Sequence, residues 1–245
     1  MTSTDSVQTV GNHGRLDGLS GLCRIGGVAA FALILYCLLT IVQFSVLGVG
    51  VPPNAEGVFG ILHDNWIEGL LRLDLLTVLA MPLYYLLFLG LFAALRRIDR
   101  ASTLLSIVLV FAGTTLLLAT PTGLSMLRLS DQYWAASTDA ARMHYLAAGE
   151  AVMAIDIWHG TGALIGAVLL QCGALLMCWV MLRGQVFSKA TAWLGLVMFS
   201  LDLAHIFASH YPIVAAGLLA IAGLLYPVWF FLIGRRLIQL AVRGS

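Results

Sequence analysis

Six uninterrupted apolar runs constrain this chain more than any other feature of its sequence. They lie at roughly 25–48, 72–95, 101–121, 159–182, 190–209 and 212–234. Each reaches the ~20 residues needed to cross the hydrocarbon core of a bilayer. Inside lipid a backbone finds no water to bond, so a crossing segment must be a helix or part of a closed barrel. Nothing in these runs alternates with the two-residue period of a barrel strand. The expected fold is therefore all-α, a polytopic membrane bundle of about six transmembrane helices. The composition agrees: 60% of the 245 residues are hydrophobic and only 10% are charged, against ~25% charged in soluble domains. The net charge of +1 provides no basic field for nucleic acid, so the lipid bilayer is the expected partner. Residues 1–21 are polar and rich in Gly, Ser and Thr, and read as a disordered cytoplasmic N-terminus. Residues 22–240 read as one transmembrane helical domain and 241–245 as a cytoplasmic tail. The four cysteines fall in or beside apolar runs, which predicts neither a disulfide nor a thiolate zinc site.

The positive residues orient the spans. Ten of the thirteen Lys and Arg residues fall before span one, between spans two and three, between four and five, or after six. That side is expected to be the cytoplasm, with both termini on it. Only Arg72, Arg128 and Arg142 lie on the other side. Nine of the twelve acids, and every histidine except His13, fall in the outer half. Two outer segments are long, 50–71 and 122–158. In the second, Ser137 reads as a helix N-cap. The pattern stays helical from there to Arg183, ~69 Å at 1.5 Å per residue. A helix of that length exceeds a bilayer, so an outer-face helical segment is expected before span four, with a bend at Gly149.

Against this apolar background two short motifs stand out. "DIWH" pairs Asp156 with His159, and "DLAH" pairs Asp202 with His205. Counting back from Arg183 places Asp156 and His159 near the outer interface. Counting forward from Lys189 places Asp202 ~20 Å into the membrane. Asp74 counts to the outer interface as well. Positions 191, 195, 198, 202, 205 and 209 form one helical stripe. Asp156, His159, Gly162, Gly166 and Gly173 form a second, and Asp74, Thr77, Met81 and Tyr84 a third. Gly162 and Gly166 make a small-xxx-small pair that lets helices approach closely. The simplest packing turns the three stripes toward a common interior, so Asp74, Asp156, His159, Asp202 and His205 are the candidate catalytic residues.

Asp202 carries the most information. A charge at mid-membrane costs ~2.5–3.5 kcal/mol even on the gentler insertion scale, so such a residue is a functional candidate by default. The competing reading is a neutral or bonded Asp202 that only locks helices together. Carboxylate and imidazole at i, i+3 on two helices also resemble the ligand spacing of carboxylate-bridged metal bundles. On that reading Asp156, His159, Asp202 and His205 are metal ligands, with further carboxylates from Asp74 and Glu150 or Glu68. Zinc, iron or manganese suit such a set. A metal-free alternative makes Asp202 a general acid with a neighbouring His as base. Trp66, Trp134, Trp158 and Tyr133 share the outer level, either as pocket walls or as ordinary interfacial anchors. Phosphate-binding glycine loops, nucleophile elbows and zinc-protease helices are absent from the sequence.

The stretches "LLRLDLLTVLAMPLYYLLFLGLFAALRR" (70–97), "LSDQYWAASTDAARMHYLAAGEAVMA" (129–154) and "VFSKATAWLGL" (186–196) resemble the bacterial six-helix membrane family known as domain of unknown function 4386. The resemblance spans most of 22–240. It implies a six-helix fold in a bacterial cytoplasmic membrane, and it implies no activity. The histidines of "DIWHG" and "LDLAHIFASH" are richer than that pattern leads one to expect. Two classes of function remain open. One is a membrane-embedded enzyme acting on a lipid-like or small apolar substrate. The other is a binding, transport or accessory protein in which the Asp/His pairs are structural.

Overall fold

The computed structural model of the chain describes residues 5–48, 51–156, 160–208 and 210–244. It is 86% helical, with no strand among the described residues. Six helices are long and apolar enough to cross a membrane: α1 (Asp5–Leu47), α4 (Leu75–Leu95), α5 (Arg100–Leu118), α8 (Thr161–Arg183), α9 (Lys189–Phe207) and α10 (Pro212–Gly244). Four shorter helices fill the two long connections: α2 (Ala55–Asp64) and α3 (Trp66–Leu73) in the first, α6 (Gly123–Ala135) and α7 (Asp139–Met153) in the second. The chain is a multi-pass helical membrane protein. All six predicted spans appear as helices, although α1 begins within the polar 1–21 segment and α10 runs ten residues past the expected end.

Local chemistry sets the helix starts. Asn54 accepts the Gly57 N–H and opens α2. Asn65 closes α2 through its own N–H to Ile61 and opens α3 by accepting from Glu68. Ser188 does the same for α9 through Thr191. Each side-chain oxygen satisfies a donor that the helix itself leaves unpaired. Asp99 precedes α5, and its carboxylate accepts the Ser102 N–H at 3.0 Å and the Ser102 hydroxyl at 2.8 Å. These bonds, with the Arg183 guanidinium at 3.3 Å, hold the Asp99 carboxyl below the usual carboxylate range.

Two expectations are corrected. The helix cap before α7 is Thr138, not Ser137; the Thr138 side chain accepts from Ala141 at 3.2 Å. The single long helix into span four is two helices. α7 ends at Met153 and α8 begins at Thr161. Gly149 does not bend α7 but admits a neighbour. A Cβ there would sit 2.7 Å from the Phe59 ring and 2.8 Å from Ala55.

The contacts divide the chain into two compact units. One comprises Met1–Cys37, Leu83–Phe111 and Leu169–Ser245, the other Leu38–Pro82 and Ala112–Val168. In the second unit, α2, α3, α6 and α7 share a small core of Ala55, Val58, Phe59, Leu62, Leu70 and Met126. Ser130 and Trp134 both donate to the Phe59 carbonyl, and Trp134 stacks on His63. Gln43 of α1 donates to the Leu71 carbonyl at 2.6 Å. α5 and α8 also touch here, where Gly166 faces the Gly113 carbonyl. In the first unit α1 crosses α4 at Gly26 and Gly90, α5 meets α8 at Ser106 and Gly173, and α9 packs along α10.

Candidate functional site

The stripe predicted on α9 faces inward. Thr191, Gly195 and Met198 are buried; position 209 lies outside the described residues. Gly195 sets the local register. A Cβ there would lie 2.5 Å from both Cys178 Sγ of α8 and Trp229 Nε1 of α10, so the missing side chain lets both neighbours close on α9. Short connections make the three helices successively antiparallel. Two turns along α9 from Gly195 comes Asp202. Two turns back along α8 from Cys178 comes Gln171, and one turn back along α10 from Trp229 comes Tyr226. Both reach the carboxylate: Gln171 Nε2 donates to Asp202 Oδ2 through a very short bond, and the Tyr226 hydroxyl donates to the same oxygen at 2.6 Å.

Asp202 Oδ1 has a different neighbour. His205 Nδ1, one turn further along α9, lies 3.8 Å away, within ion-pair range but too far for a hydrogen bond. The side chains of Asp202 and His205 are only 15% and 24% exposed. His205 Nδ1 is itself buried without a hydrogen-bond partner, and so is Oε1 of Gln171. The surround is aromatic. Phe199 meets the rings of Tyr226 and Trp229 edge-on, and Tyr226 packs against Phe230. Tyr84 of α4 meets Phe230 and lies within electrostatic range of Asp202. Helical rise from the basic residues at the Arg- and Lys-bearing ends of the spans gives one depth for these groups. Asp202 is ~20 Å from Lys189, Gln171 ~18 Å from Arg183, Tyr84 ~18 Å from Arg96 and Tyr226 ~14 Å from Arg235.

The remaining candidates have other surroundings. Asp74 is not on the stripe of span two. It stands between α3 and α4, buried, and its Oδ2 accepts the N–H groups of Thr122 (2.5 Å) and Gly123 (2.9 Å) at the start of α6. Asp156 is not on a helix with the glycines of span four. It lies in a bend ahead of α8, where its carbonyl accepts the Gly160 N–H. His159, like Trp158, lies outside the described residues. The structure thus joins Asp202 to His205, gives Asp74 a separate set of partners in the other unit, and leaves the Asp156–His159 pairing undescribed. The carboxylates expected to complete a metal site also have partners. Glu68 pairs with Arg72 at 2.9 Å, and Glu150 accepts the Ala55 N–H at 2.8 Å. Among the described residues no three His, Cys, Asp or Glu side chains gather into a group able to hold a metal ion.

Two members of the site, Gln171 and Tyr226, were not among the sequence candidates. Gln171 carried a signal, since it is the lone amide in its apolar run and a polar group in lipid needs a partner. Tyr226 carried none, because tyrosine is ordinary near a membrane. No family model, no curated protein and no solved structure matches the chain.

Proposed function

We propose that this protein is an enzyme of a bacterial cytoplasmic membrane, acting on a lipid-like or small apolar substrate by acid–base chemistry at Asp202 and His205. Membership of the six-helix family named above belongs to the same proposal. The observation that carries the reading is the asymmetry of the Asp202 carboxylate. Two neutral donors fix one oxygen, while the other is left beside an imidazole. Such an arrangement holds the acid in place and keeps one oxygen for proton exchange. The site lies on spans, where an ionisable side chain is costly and rarely kept without use.

A second reading is favoured by the same bonds. Gln171 and Tyr226 tie α8 and α10 to α9, and a polar clasp needs no chemistry. A hydrophobic carbodiimide separates the two, because it modifies a protonated carboxyl group that it can reach from lipid. In native membranes the reagent is expected to label Asp202, identified by peptide mass mapping, and Asp202→Asn is expected to remove that label. A wild-type protein that takes no label at Asp202 supports the clasp.

A further inference from the structure

The Asp202 carboxylate holds its donors on one oxygen and leaves the other open. Both hydrogen-bond donors that reach the carboxylate, the Gln171 amide and the Tyr226 hydroxyl, are committed to Oδ2. Two acceptor oxygens remain in the same small region, with the imidazole of His205 beside them. Asp202 Oδ1 has only the distant His205 beside it, and Gln171 Oε1 and His205 Nδ1 are buried without partners. Gln171 is only 5% exposed, so its carbonyl oxygen cannot turn to bulk water. A buried acceptor without a donor is destabilising. One beside a carboxylate oxygen that is itself without a donor is an arrangement that a complementary group would relieve.

The chemistry of that group follows from charge and geometry. An anion is excluded by Asp202. A divalent ion asks for several hard oxygen ligands, commonly more than one carboxylate, whereas Asp202 is the site's single acid. A neutral hydroxyl offers one donor and leaves the carboxylate charge uncompensated. A singly charged cation meets both acceptor oxygens and neutralises Asp202. We infer that the Asp202–Gln171–His205 site binds a monovalent cation, either an alkali metal ion or the ammonium head of an amphiphile. This inference rests on Asp202 being a working group and not a clasp, and it names the charge of what that group meets.

The test is protection of Asp202 from the carbodiimide, in the full-length protein purified in a neutral detergent. Rates of labelling are compared in sodium, potassium, dodecylammonium and dodecanol, with N-methylglucamine balancing ionic strength. At ten times the dissociation constant an occupant should slow labelling about tenfold, following 1 + [L]/Kd. Protection by sodium or potassium identifies an inorganic ion. Protection by dodecylammonium alone identifies an amphiphile head group. Tyr226→Phe, which removes a spent donor, should keep the protection, and Gln171→Leu, which removes a waiting acceptor, should lose it. If Gln171→Leu does not fold, the wild-type comparison of dodecylammonium with dodecanol still decides. Labelling that no cation slows, or that dodecanol slows equally, overturns the inference while the acid–base reading stands. No labelling at all overturns that reading itself.

Discussion

Asp74 and Asp202 are both largely buried acids in an apolar chain, and their neighbours make them different objects. Asp74 accepts two backbone N–H groups at the start of α6, donors that a helix cannot satisfy itself. The positive end of the helix adds to the attraction. Gly123 supports this contact, since a Cβ there would sit 2.6 Å from Asp74 Oδ1. Asp74→Ala should therefore destabilise the protein by about 2 kcal/mol or more, because two buried donors lose their acceptor. Asp74→Asn keeps an oxygen and should cost less than half as much. Thermal unfolding in detergent measures both, and equal losses for Asn and Ala would show that the cap is not what Asp74 supplies. The sequence identified Asp74 as an unusual acid and could not identify its role, because its partners lie 48 and 49 residues away. Asp202 was more legible. Its depth follows from helical rise alone, and the cost of placing it there makes it conspicuous. Which groups meet it depends on the register of three helices, which no single run encodes.

Among the elements, glycine decides where helices touch. A Cβ on Gly26 of α1 would lie 2.7 Å from the Gly90 Cα of α4, and one on Gly90 would lie 2.8 Å from Gly26 Cα. These are backbone-to-backbone contacts, and no rotamer change relieves them. Gly26→Ala should push α1 off α4 at a cost of about 1–3 kcal/mol, typical of overpacking. Gly21, on the same helix, meets nothing within 4 Å. Gly21→Ala should be neutral or stabilising by up to about 1 kcal/mol through helix propensity. If both alanine variants melt together, the crossing is looser than it looks. The close approach predicted at Gly162 and Gly166 is realised mainly at Gly166, against the Gly113 carbonyl, and again at Gly173, where Ser106 donates to the carbonyl at 2.7 Å. Gly162 makes only an ordinary contact with Thr120. Helix positions were readable because twenty apolar residues have one solution in lipid. The interruption between α7 and α8 was not, since the periodicity of 139–183 fits one long helix.

For the whole molecule, the contacts within each unit supply a parity check on the crossing pattern. The connection between spans one and two meets the connection between three and four: Glu150 caps α2, and Phe59 packs on Tyr133. Those two connections must therefore share a side of the membrane. The connections after spans two and four also meet, through Asp99 with Arg183 and through Ile98 against Gly184. An alternating six-span chain requires both pairings. The first pair of connections carries most of the acids and the second is ringed by Arg96, Arg97, Arg100, Arg183 and Lys189, so the positive-inside bias assigns the second pair to the cytoplasm. A reporter that works only in the periplasm should be active when inserted at 136–137, between α6 and α7, and inactive when fused after residue 245. A reporter that works only in the cytoplasm should give the opposite pair of results. Periplasmic activity at the C-terminal fusion with none at 136–137 would invert the molecule. The Asp202 depth measured from Lys189 would then be measured from the outer surface, and a substrate would have to approach the acid from the cytoplasmic leaflet.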